Sequence, residues 1–134
     1  ATRTILRGPI QPLREQTVGI IGFGRIGKSV AARLKPFGVT LLVADPYADP
    51  EAIRAEGAEP VALEDLMARA DIITIHCPLT PETRGLINAE KIALMKPTAV
   101  IVNTARGPII DLKALAAALE AGQIAGAALD VART

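Results

Sequence analysis

Three glycines in the run Gly22-Phe23-Gly24-Arg25-Ile26-Gly27 stand at the spacing G-x-G-x-x-G, directly after the apolar run Val18-Gly19-Ile20-Ile21. The chemistry such a turn supports is anion binding. Gly22 would make the tight turn out of a strand, Gly24 would let a pyrophosphate come up against the backbone, and Gly27 would let the next helix pack closely on that strand. The amides of Arg25 and Ile26, with the helix dipole behind them, would point at the anion. The alternative is a tight strand-to-helix turn that binds nothing. Asp45 stands eighteen positions after Gly27, at the end of the next apolar run. That is near the ~20-residue spacing of an acid that accepts the hydroxyl protons of a ribose. Its charge would repel a 2′-phosphate, and the following Pro46-Tyr47 offers no arginine in compensation, so NAD is expected over NADP. Otherwise Asp45 merely opens an Asp-Pro turn.

His76 and Cys77 are the only histidine and the only cysteine of the chain. Four-ligand zinc patterns therefore lack their ligands, and no disulfide can form within the chain. Cys77 has no second histidine to activate it, which favours a packed thiol over a nucleophile. Asp111, at the expected start of a helix, reads as an N-cap rather than a catalytic acid.

These residues need strand ends and helix starts to hold them. Apolar runs of strand length lie at 17–22, 39–44, 71–76, 98–104 and 124–131, rich in Val, Ile and Leu with little polar alternation. That pattern suits strands buried on both faces. Between them helical patterns run over 25–37, ending near Pro36 and Gly38; from Pro50, with Asp49 as N-cap and Gly57 marking the end; over 63–70; over 88–95, stopped by Lys96-Pro97; and over 111–121, stopped by Gly122. A short strand is expected at 58–61. Strands and helices alternating with right-handed crossovers give an open, doubly wound parallel sheet. Residues 1–16, with Pro9 and Pro12, fit neither pattern and read as a lead-in or linker before a binding domain over 17–134.

Composition narrows the function classes. With 134 residues, half of them hydrophobic, the chain sustains one core without disulfides. A net charge of +1 with acids and bases interspersed argues against a nucleic-acid module. No run reaches the ~18 apolar residues of a membrane span, and residues 1–8 are not followed by a signal-type apolar run. A reducing, cytoplasmic location is expected.

The ordered set of residues 18–28, His76-Cys77-Pro78-Leu79-Thr80-Pro81-Glu82-Thr83-Arg84-Gly85-Leu86-Ile87-Asn88, Met95-Lys96-Pro97 leading to Asn103-Thr104-Ala105-Arg106-Gly107, and Gly126-Ala127-Ala128-Leu129-Asp130-Val131 carries a resemblance. It is similar to the nucleotide-binding domain of the D-isomer-specific 2-hydroxyacid dehydrogenases, a family that includes phosphoglycerate, glycerate and D-lactate dehydrogenases. The resemblance spans 13–131. It implies a Rossmann-type fold in three layers, α/β/α, with NAD as cofactor. It also implies an oxidoreductase that moves a hydride between NAD and a D-2-hydroxy acid or its 2-keto acid. By the same resemblance Arg106 binds the substrate carboxylate and steadies the carbonyl, a role that suits a planar, permanently charged fork of donors. His76, Cys77, Pro78 and Thr83 would line the adenosine and pyrophosphate part of the NAD site, with Pro46 beside the ribose anchor. Thr104 and Ala105 would flank the nicotinamide ring and Asp130 its carboxamide. Alternatives remain at two of these positions: Arg106 as an exposed residue of an Arg-Gly-Pro turn, and Asp130 as a cap on the last strand.

Family members continue past the Leu-Asp-Val motif to an aromatic residue, a glutamate and a histidine, the last two forming the acid/base pair. Here Ala132-Arg133-Thr134 follow instead. Hydride transfer from a hydroxy acid needs a base for the hydroxyl proton. The expectation is therefore a domain that binds NAD(H) and turns over poorly by itself, the substrate domain lying outside this sequence. A non-catalytic dinucleotide-sensing module, like the corepressors of the same family, stays open as the second reading. A methyltransferase on a similar fold is disfavoured by Asp45 and residues 103–107. The resemblance further implies a homodimer formed through this domain, with 86–95 contributing, and a small 2-hydroxy acid as partner.

Overall fold

Residues that sequence patterning places in buried strands do form them in the computed structural model of the protein, which describes residues 2–5, 13–105 and 107–130. The strands are β1 (Thr2–Ile5), β2 (Thr17–Ile21), β3 (Thr40–Ala44), β4 (Glu59–Pro60), β5 (Ile72–Ile75), β6 (Val100–Asn103) and β7 (Gly126–Asp130). They make one sheet in the order β1-β7-β6-β5-β2-β3-β4. From β2 to β7 every pairing is parallel, and only β1 runs antiparallel, against β7. Without β1 this is the Rossmann-type doubly wound order, and it reverses direction between β2 and β5.

Alternate side chains of the central strands enter two separate cores. Val18 and Ile20 of β2 and Leu41 and Val43 of β3 pack with Ala31 and Ile53, from helices α1 (Arg25–Leu34) and α2 (Pro50–Ala55). On the opposite face Ile21, Leu42, Ile73 and Ile101 pack with Leu66, Ile92 and Leu115, from α3 (Leu63–Arg69), α4 (Ala89–Ala93) and α5 (Leu112–Glu120). Both faces of the inner strands are thus dry, which explains runs of Val, Ile and Leu without polar alternation. Each such Leu or Ile contributes about 1.5–3 kcal/mol by leaving water. Gly19 lets α3 lie against β2: a Cβ there would stand 2.5 Å from Leu66 Cδ2.

Helix starts follow their caps. Asp49 accepts from Glu51 N–H at 3.0 Å, Asn88 from Lys91 N–H at 3.0 Å, and Asp111 from Lys113 and Ala114 N–H at 3.1 Å each. Asp111 is an N-cap, as expected. Asp71 ties the amino ends of the central strands β2 and β5: its carboxylate accepts from Thr17 N–H at 2.7 Å and meets Lys96 Nζ at 3.1 Å.

Some boundaries differ from the sequence reading. The helix expected over 25–37 stops at Leu34, and a 3-10 turn covers Lys35–Phe37. Pro36 has no N–H to continue the α-helical ladder. The helix expected over 88–95 is confined to Ala89–Ala93, because Asn88 serves as its cap. Residues 2–5, read as part of a lead-in, form the edge strand β1. Their Thr-Arg-Thr-Ile sequence shows no apolar alternation, and the pairing partner lies toward the far end of the chain.

Candidate dinucleotide-binding site

The glycine turn joins β2 to α1 at the point where the sheet order reverses. Gly22 has φ of 94°, and its N–H donates to the carbonyl of Ala44 at 3.0 Å. A Cβ on Gly22 would stand 2.6 Å from the backbone nitrogen of Cys77. A Cβ on Gly27 would run into the carbonyl oxygen of Gly22. Protein packing therefore accounts for both glycines. Gly24 differs, because nothing lies within 4 Å of the place its Cβ would take. It stands at the N-cap of α1, whose first turn holds no acidic residue. The open seat, at the first turn of a helix and the positive end of its dipole, has the charge preference of an anion site.

Asp45 lies across from this turn. Its Oδ2 accepts from Phe23 N–H at 2.8 Å and its Oδ1 from Tyr47 N–H at 2.9 Å. A carboxylate offers roughly four lone-pair sites, so two remain for a pair of ribose hydroxyls. The turn role and the ribose role are compatible. The bond to Phe23 locks the carboxylate against the glycine turn, a link that sequence spacing alone does not reveal.

Between the carboxyl ends of β2, β3 and β5 opens a cavity of about 580 Å³, within the range of small-molecule sites. Val61, Leu63, Leu86, Cys77 and Pro78 give it apolar walls, and Asp45, Pro46, Tyr47, His76 and Thr83 stand around them. The Thr83 hydroxyl donates to the Pro78 carbonyl at 2.7 Å and accepts from Thr80 N–H at 2.7 Å, pinning the loop that forms one wall. That loop is fastened in turn to the segment after β6. Gly85 N–H donates to the Pro108 carbonyl at 2.8 Å, Ile87 N–H to Ile109 at 3.0 Å, and Asp111 N–H back to Ile87 at 2.9 Å.

Burial is the main cause that raises the pKa of Cys77, with the nearby Asp45 charge adding to it. The thiol stays protonated, which suits a wall residue and not a nucleophile. His76 places Nε2 2.8 Å from the Thr74 hydroxyl, and burial lowers its pKa below the ordinary 6.5. A lowered folded-state pKa means that the unfolded chain takes up the proton first as pH falls. The stability from neutral His76 is thus present above about pH 6.5 and lost as pH drops through the folded-state value. Urea midpoints are expected to fall between about pH 7.5 and 5.5, and to fall less in His76→Gln. Equal losses in the two proteins would refute this assignment.

A family model described as "D-isomer specific 2-hydroxyacid dehydrogenase, NAD binding domain" matches residues 4–134. The chain belongs to that family. It is 48% identical over 119 residues to a D-3-phosphoglycerate dehydrogenase of Mycobacterium leprae, covering 89% of this chain and 22% of the relative. To a glyoxylate reductase of Thermococcus kodakarensis it is 50% identical over 116 residues, 87% of this chain and 35% of that protein. Among solved structures, a D-lactate dehydrogenase from Treponema pallidum superposes with a TM-score of 0.84 at 43% identity, over 90% of this chain and 36% of that one. The NAD-complexed D-isomer specific 2-hydroxyacid dehydrogenase of Lactobacillus delbrueckii gives 0.84 at 35% identity, with the same coverages of 90% and 36%. The chain thus spans roughly a fifth to a third of the curated relatives named here.

In this dehydrogenase domain the residues singled out from sequence fall into three groups. Gly22, Gly24, Asp45, Pro46, His76, Cys77, Pro78 and Thr83 line the cavity. Arg25, Ile26 and Gly27 form the first turn of α1, following the lining residue Gly24 in the chain. Thr104 and Ala105 follow β6 at the carboxyl edge of the sheet, outside the cavity lining, and Asp130 ends β7 at the same edge. Arg106 lies outside the described residues. Sequence reasoning missed Val61, Ala62, Leu63 and Leu86, whose apolar character reads as core until the exit of β4 brings the first three, and the loop after β5 brings Leu86, to the cavity wall.

Proposed function

We propose that this protein is an oxidoreductase that transfers a hydride between NAD and a small D-2-hydroxy acid or its 2-keto acid. The observation that carries the reading is the open seat at Gly24 facing the carboxylate of Asp45, with an apolar cavity between the strand ends beside them. Backbone N–H groups of the α1 first turn hold the pyrophosphate, Asp45 takes both ribose hydroxyls, and the wall of Val61, Leu63 and Leu86 receives the adenine. Bound NAD supplies the hydride acceptor, and NADH the donor. Thr104 and Ala105, just after β6, flank the nicotinamide, Asp130 serves its carboxamide, and Arg106 binds the substrate carboxylate. The carboxylate of Asp45 favours NAD over NADP. No helix among the described residues is long and apolar enough to cross a membrane, and we place the protein in the cytoplasm. The exposed Leu94, just past α4, supports a homodimer formed through 86–95.

Titration with NADH, followed by nicotinamide fluorescence, tests the binding, and a saturable signal is expected. Absence of binding at millimolar NADH with the far-ultraviolet spectrum of a folded α/β protein would refute it. NADH consumption on adding glyoxylate or pyruvate to the protein in its full reading frame tests the reaction.

A further inference from the structure

A second cavity, of about 380 Å³, adjoins the first at Asp45. It shares Phe23, Gly24, Asp45 and Tyr47 with the first cavity and adds Lys28 and Asp49. Lys28, in the second turn of α1, holds its Nζ 5.9 Å from the centre of the Phe23 ring. The backbone N–H of that same Phe23 is bonded to Asp45. Asp49 keeps one oxygen on Glu51 N–H at 3.0 Å as the cap of α2. Among the described residues, none of Lys28, Asp45 and Asp49 is engaged in an ion pair. One cation and two anions therefore share the walls of a space that begins where the ribose hydroxyls meet Asp45.

We propose that Lys28 and Asp49, which line this second cavity beside Asp45, are further specificity-determining residues for the 2′ position of the adenosine ribose. The proposal rests on the NAD-binding reading above. A 2′-hydroxyl fits such a space without cost, whereas a 2′-phosphate brings close to two negative charges beside two carboxylates. Lys28 works in the opposite direction, as the one cation of the cavity wall. Discrimination against NADP is then a balance of three side chains, in which Asp49 adds to the repulsion of Asp45 and Lys28 weakens it. The charges face water, so their effects are moderate and salt-dependent.

Dissociation constants for NADH and NADPH, measured by fluorescence on the wild type, Asp49→Asn and Lys28→Gln at low salt, test this. Asparagine caps a helix as well as aspartate does, and glutamine keeps an alkyl stem over Phe23, so both variants change charge without removing the local structure. Asp49→Asn is expected to tighten NADPH by about three- to tenfold and Lys28→Gln to weaken it by a similar factor. NADH should stay within about twofold in each, and added salt should compress the differences. A NADPH-to-NADH ratio that moves in neither variant, or NADPH binding undetectable in Asp49→Asn, would overturn the proposal while NADH binding stood. Loss of NADH binding in the wild type would instead overturn the dinucleotide reading on which the proposal rests.

Discussion

Gly24→Ala is expected to leave the fold as stable as before, within about 0.5 kcal/mol, while weakening NADH binding at least about 100-fold. The two halves of this expectation come from one observation. No protein atom lies within 4 Å of the added methyl, and the backbone at Gly24, with φ −83° and ψ −155°, is extended and open to any residue. The methyl would instead occupy the space in which a pyrophosphate approaches the N–H groups of α1. Lost contact there removes several charge-assisted bonds together, each worth about 1.5–3 kcal/mol. Urea unfolding and NADH titration of the same preparation separate the halves. A variant that binds NADH like the wild type would show that the turn is not the anion seat.

Gly27→Ala is expected to act on the fold itself, lowering stability by about 2–4 kcal/mol. In an ordinary helix the same change is favourable by about 0.5–1 kcal/mol, because glycine loses more backbone freedom on folding. Here the sign reverses. The new methyl meets the carbonyl oxygen of Gly22, a backbone atom that no rotamer change can move aside. Relief would require α1 to lift from β2, opening the contact of Ala31 with Val18 and Ile20. The urea midpoint should fall with the m-value unchanged. A midpoint that rises would contradict the close approach of helix and strand. The paired variants distinguish a glycine kept for packing from one kept for a ligand.

Much of this architecture is legible in the residues because both faces of the sheet are buried. That condition writes itself into the sequence as apolar runs at 18–21, 72–75 and 100–102, and the capping aspartates Asp49 and Asp111 mark helix starts by a mechanism that works locally. What stayed hidden depends on distant partners. Strand β1 is four residues long and is defined by pairing with β7, so no local periodicity announces it. Val61 and Leu63 look like core because an apolar cavity wall and a protein core use the same side chains. The Phe23–Asp45 bond joins residues 22 positions apart in sequence, and only the parallel pairing of β2 with β3 brings them together. The second cavity was invisible for the same reason, since it is assembled from α1 and from the exit of β3.

The two backbone bonds made by Asp45 bear on how such a domain changes its cofactor over evolutionary time. The side chain that we propose meets the ribose also braces the exits of β2 and β3 through Phe23 and Tyr47. A lineage that replaces it loses a strut at the same step as it alters recognition. Serine and asparagine can still accept an N–H there and so lie one tolerable step away, whereas arginine, which accepts none, becomes accessible only after the loop has found another brace.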